Sequence, residues 1–166
     1  MNEELQERLF TDYPEILSKD NFPSGISCDD GWYDLIDNMC YHVNRRISNV
    51  HWGWGKTEIL KEVPVRILDM NHGAGGSLVV EFFVDFPVIP KDSQLREIES
   101  RVSSVKDYTE SISGRTCELT GRPGKLCVKR TDRLVSKVLC KELAKALDYV
   151  DYYDSRHWAK KDESDE

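Results

Sequence analysis

Several things are missing from this 166-residue chain, and each absence removes a class of protein. No apolar run approaches the ~20 residues of a membrane span, and the start MNEELQERLF is acidic and polar, unlike a targeting segment. The expectation is therefore a protein that is neither exported nor anchored. There is no G-x-x-x-x-G-K-[ST] phosphate loop, no nucleophile elbow, no zincin helix, no kinase signature set and no dinucleotide fingerprint. Ser, His and acidic residues are present, but no spacing brings them together as a catalytic group. A non-catalytic protein without a cofactor is the expectation. There is no internal repeat and no linker long enough to separate a pair of domains. No C-x-x-C pair occurs either, although the chain has five cysteines, at 28, 40, 117, 127 and 140. An odd, scattered set fits free thiols in a reducing cytosol better than a disulfide framework.

What is present is a soluble globular composition, 39% hydrophobic and 32% charged, with an uneven charge distribution behind the net value of -7. Residues 1–50 carry -6, residues 51–114 carry -3, residues 115–145 carry +6 and residues 146–166 carry -4. One basic segment thus sits in an acidic chain. It can attract phosphate groups, or it can complement the protein's own acidic surface.

Periodicity gives an α+β fold: a small antiparallel β-hairpin or sheet packed against three or four helices, with a knuckle-like turn near 117–127. After a short N-terminal helix, the loop NFPSGISCDD stops one helix and caps the next. That helix, over about 30–47, places Trp32, Leu35, Ile36, Met39, Cys40, Val43 and Ile47 on one stripe. EVPVRILDM and SLVVEFFVDF alternate as two strands around the glycine-rich NHGAGGS, and Pro64 assigns the first to an edge. A helix from Asp92 or Ser93 to Gly114 follows, with Leu95, Ile98, Val102, Val105 and Ile112 on its apolar side. Within RTCELTGRPGKLC, Arg122-Pro123-Gly124-Lys125 suits a type II turn with positive φ at Gly124. A last helix is predicted through DRLVSKVLCKELAKALDYV, using Val135, Leu139, Leu143, Ala146, Leu147 and Val150. Residues 1–150 form one domain on this reading, and 151–166 an acidic, flexible tail.

The stretches DDGWYDLIDNMC, GGSLVVEFFV, TCELTGRPGKLC and KVLCKEL together resemble a family of small phage-encoded proteins, mostly of unassigned function, across residues 25–145. That family pairs a Gly-Trp helix start with a C-x-x-C-G-x-P-G turn and a later Thr-Leu-Cys-x-x-His segment, a four-ligand zinc pattern. The resemblance puts Cys117 at the first ligand position and Cys140 at the third, but Thr120 and Leu143 at the second and fourth. A Thr hydroxyl and a Leu side chain do not replace thiolate and imidazole in tetrahedral zinc. The expectation is a turn that persists without an ion, held by Leu119, Leu126 and Leu143. The alternative is a rearranged site of Cys117, Cys127 and Cys140 with a distant His.

Candidate ligand-binding residues are the cations Arg115, Arg122, Lys125, Lys129, Arg130, Arg133 and Lys137, with Trp52 and Trp54 of HWGWG as stacking aromatics. The resemblance and the basic segment point to a phage protein in the host cytoplasm that counters a bacterial antiphage defence. It would sequester a nucleotide signal or occupy a host defence protein. Two alternatives accompany it. The basic 115–145 segment could serve a nucleic-acid-binding accessory protein, against which the overall negative charge argues. The acidic N-terminal helices, through Asp30, Asp34 and Asp37, could instead mimic DNA and inhibit a host nuclease.

Overall fold

The computed structural model describes residues 1–48, 65–73, 75–84, 92–132 and 134–154. Trp52, Trp54, Pro64, Arg133 and the acidic stretch beyond 154 lie outside the described residues. The chain is α+β, as its periodicities predict. Helix α1 (Glu3–Asp12) is capped by the Asn2 side chain, which accepts from Leu5 N, and buries Leu9. Helix α2 (Tyr33–Ser48) follows a 3-10 turn over Asp30–Trp32, and its stripe of Trp32, Ile36, Met39, Cys40 and Val43 is buried. Strands β1 (Val65–His72) and β2 (Leu78–Val84) pair antiparallel, and helix α3 (Asp92–Ser113) buries Ile98, Val102 and Val105 against them and α2. Among the described residues no helix is long and apolar enough to cross a membrane.

The hairpin is a two-stranded sheet whose edges are closed by other parts of the chain. On the β1 side, Ile67 N donates to Ile16 O at 2.8 Å and Asn21 Nδ2 donates to Ile67 O at 3.1 Å. On the β2 side, Leu78 N donates to Ser113 Oγ at 2.7 Å and Val80 N to Glu110 Oε1 at 2.9 Å, both on α3. The edge donors of Ile67, Leu78 and Val80, which would otherwise invite another chain, are thereby satisfied.

The C-terminal third departs from the predicted single helix. Strand β3 (Lys125–Lys129) lies between β4 (Ser136–Leu139) and β5 (Tyr149–Asp151), both antiparallel to it, and only Lys141–Ala146 is helical, as α4. The three-four spacing of Val135, Leu139, Leu143 and Leu147 reads as a helix. However, Val138, Leu139 and Cys140 are all buried in succession, which suits a short strand covered on both faces. Val135 and Leu147 are exposed instead. Cys140, extended at φ -70 and ψ 158, breaks the helix before Lys141, and Asp148 at φ 59 turns the chain out of α4. Asp151, expected in the tail, pairs with Cys127 in the sheet.

Candidate functional site

The stretch around Cys117 folds into a compact, laddered turn. Thr116 pairs with Pro123, Cys117 N donates to Arg122 O at 2.7 Å, and Gly124 N donates to Arg115 O at 2.7 Å. The loop between these rungs closes through Gly121 N to Cys117 O at 2.9 Å. Positive φ falls at Gly121 (+69) and not at Gly124, so the predicted type II turn is absent and the left-handed residue instead ends a wider, helix-like turn that starts at Cys117. Gly124 is needed for space: a Cβ there would lie 2.9 Å from Cys117 N.

This turn is docked onto the start of α2. Gly31 N donates to Glu118 O at 2.7 Å, and a Cβ on Gly31 would come within 2.5 Å of Gly121 N. Trp32, fully buried, donates its indole N–H to Thr116 O at 2.9 Å. The Gly-Trp pair and the knuckle thus form one contact, built from a glycine that lets two backbones touch and an indole that satisfies a turn carbonyl.

Inside the turn, Cys117, Cys127, Leu139 and Cys140 make a small core, with Leu119, Leu143, Ala144 and Tyr149 packed around it. Burial pushes the Cys117 thiol up. Hydrogen bonds from the Thr120 hydroxyl and from the backbones of Cys140, Leu119 and Thr120 outweigh that and hold it below its ordinary value. Thr120 is thus a hydrogen-bond partner of Cys117, and Leu143 packs against the cluster with apolar contact. This donor set does not fit tetrahedral zinc. Nor is the rearranged set assembled: among the described residues no group of three or more His, Cys, Asp or Glu is placed to hold a metal ion, and His72 is engaged elsewhere.

That engagement is with Glu118, a fully buried carboxylate that composition does not single out. Its Oε1 accepts from Val138 N at 2.6 Å and lies 2.7 Å from His72 Nε2, while its Oε2 accepts from Lys137 Nζ at 3.2 Å. Lys137 also reaches Asp29 Oδ2 at 2.6 Å, and His72 stacks on Trp32 with ring centroids 5.6 Å apart. The hydrogen bond to Glu118 holds the His72 imidazole above its ordinary value against opposing desolvation, and the Gly73 backbone adds a second bond. His72 Nε2 and both Glu118 carboxylate oxygens are thus engaged inside the protein. A cavity of about 380 Å³ opens beside this cluster, next to Ser27, Ser136 and Cys28, whose thiol burial pushes up to about 12. Glu118 is one of three acids in the basic segment, with Asp132 and Glu142, so charge pattern alone does not mark it; its burial is what requires that it be paired.

The predicted cation patch divides. Lys137 is spent on Asp29 and Glu118; Lys125 lies 3.5 Å from Asp151, and Arg130 lies 3.1 Å from Asp148. Arg115, Arg122 and Lys129 are exposed but do not line the cleft that Lys125 and Arg130 border. That cleft, about 620 Å³, runs between α4 and the β3–β5 edge. Its floor is Cys127, Leu139, Ala144 and Tyr149, and its rim adds Lys141 and Lys145. These two lysines, one helical turn apart and exposed, have no ion pair among the described residues. They were missed because a continuous helix would have turned them to solvent with nothing beside them. Of the acidic residues assigned to DNA mimicry, Asp30 accepts from Asn2 at 2.6 and 2.8 Å and Asp37 accepts from Tyr13 at 3.0 Å, while Asp34 is exposed.

Fold and cleft together define an α+β protein with a ligand-sized concavity on its smaller sheet. Comparison with protein-family models, curated proteins and solved structures finds no match to the chain.

Proposed function

We propose that this is a non-catalytic binding protein that captures a phosphate-bearing small molecule in the cleft between α4 and β5. The observation that carries this reading is the pair Lys141 and Lys145, exposed and without an ion pair among the described residues, above an apolar floor that ends in Tyr149. Two ammonium groups one turn apart suit an anion, and an apolar floor beside them suits a ring. A volume of about 620 Å³ is in the range of small-molecule sites. The ion pairs Lys125–Asp151 and Arg130–Asp148 flank the cleft and offer both a cation and a carboxylate to a ligand with hydroxyl or amino groups. A nucleotide has that combination. The resemblance to phage proteins supplies a setting in which holding a nucleotide signal would blunt a bacterial defence. The cleft favours that version over duplex binding, which a net charge of -7 opposes beyond a small patch.

Isothermal titration with cyclic and linear nucleotides tests it. Binding is expected for at least one nucleotide, and Lys141→Glu with Lys145→Glu should weaken it by about a hundredfold, the loss of two charge-assisted contacts. Absence of heat with every nucleotide and with inorganic phosphate overturns the reading. So does binding that survives the double substitution unchanged.

A further inference from the structure

Although both edges of the β1–β2 sheet are partly covered, its outer face is exposed among the described residues. There Arg66 stands opposite Phe83, Asp69 opposite Glu81 and Asn71 opposite Val79. An irregularity between Ile67 and Asp69 leaves Leu68 without a cross-strand partner and turned outward. Leu68, Val79 and Phe83 are 37%, 39% and 49% exposed, so three large apolar side chains share one surface. Between them lies an arrangement that costs stability: two carboxylates directly opposite each other on neighbouring strands. Asn71 Nδ2 donates to Asp69 Oδ2 at 2.8 Å, but neither Asp69 nor Glu81 has a basic partner among the described residues.

Like charges facing each other inside an apolar surround are relieved by a cation brought from outside. We propose that this face docks a basic amphipathic helix of a partner protein. A Lys or Arg of that helix would lie between Asp69 and Glu81, and its apolar neighbours would seat on Leu68, Val79 and Phe83. Size selects the helix. Strands about 24 Å long and about 5 Å apart present a face of a few hundred Å², far below the ~800 Å² per partner of a stable globular interface. A single helix about 10 Å across matches it. A second copy of this chain would bring its own carboxylates to the same face, with only Arg66 to offset them. The face lies over the larger core, and the proposal stands independently of the cleft.

The test titrates three synthetic helical peptides of about 18 residues into the isotope-labelled full chain, all sharing one leucine-rich face. The first carries Lys and Arg at the flanking positions, the second Gln and the third Glu. The expected result is saturable, fast-exchanging binding of the basic peptide alone, with amide shifts confined to residues 66–71 and 79–83. Asp69→Asn with Glu81→Gln should weaken that binding about tenfold without lowering the melting temperature, since the substitutions remove a repulsion. Equal binding of the acidic peptide, shifts elsewhere, or indifference to the double substitution overturns the proposal. So does a dimer in light scattering that Phe83→Ser abolishes, because the face would then belong to a second copy.

Discussion

Among the described residues the molecule has two hydrophobic clusters built on different terms. The larger joins α1, α2, β1, β2 and α3 through nineteen buried apolar residues, from Leu9 to Val105. The smaller, under β3, β4 and α4, has four: Cys117, Cys127, Leu139 and Cys140. Burial of nineteen side chains suffices for a domain of this size, whereas four do not, and small units of that kind ordinarily need a metal or disulfides. Here the five cysteines are free. The smaller region is held by polar ties to the larger one instead, through Gly31, Trp32, His72 and Asp29 on one side and Glu118, Thr116 and Lys137 on the other. The difference shows how a small cluster with too few apolar residues to stand alone can be held by hydrogen bonds and ion pairs to a larger one.

The largest effect should come from cutting the central tie. Glu118→Gln leaves Lys137 and His72 facing a neutral amide; because Lys137 keeps Asp29 and both cations are part-exposed, the cost falls at the low end for a buried pair, roughly 3 kcal/mol. The loss should be uneven. Hydrogen exchange is expected to speed up across 125–151 while the amides of α2 and β1 keep most of their protection. Uniform loss in both regions would mean that the two clusters form a single cooperative unit, and the contrast drawn between them would fail.

A second variant asks whether docking has replaced a metal. Thr120 already hydrogen-bonds Cys117, and Leu143 packs on the same cluster, so Thr120→Cys with Leu143→His places two further donors where the phage-family pattern has them. One zinc per chain is expected by elemental analysis. Zinc at a hundred times its dissociation constant should stabilise the variant by about 2.7 kcal/mol and leave the unsubstituted chain unchanged. If the variant takes up no zinc, the small cluster has closed too far to accept an ion.

The larger region was legible in the sequence and the smaller one was not, for a physical reason. Trp32, Ile36, Met39 and Val43 repeat at helical spacing against a deep core, and Leu78 and Val80 alternate on a strand with one buried side. In the smaller region the decisive contacts join residues far apart in the chain. Val138 owes its strand conformation to Lys125–Lys129 and to the Glu118 carboxylate. A window of sequence holds neither, and the same letters fit a helix. The basic segment was visible as composition, but pairing with Asp29, Asp148 and Asp151 decides which cations remain for a ligand. That pairing left Lys141 and Lys145, which no motif marked.

The smallest predicted effect is a dependence on pH. His72 has its imidazole held above 6.5, chiefly by the Glu118 hydrogen bond, with Lys137 and partial burial opposing. A group bound more tightly by its proton in the folded state contributes stability that is complete below the unfolded value. That contribution fades as pH rises through the folded value, so it is complete below about pH 6.5 and lost progressively above it. Glu118 and Lys137 remain bonded to each other and Lys137 to Asp29 whatever the state of the ring, and neutral His72 can still donate one hydrogen bond to Glu118. The change is therefore a loosening of the tie and not its rupture. Urea midpoints measured from pH 6 upward should fall gently for the unsubstituted chain, while His72→Gln should start lower and lose that slope. A slope that persists in His72→Gln would place the titrating group elsewhere and would remove His72 from the set of ties that hold the smaller cluster in place.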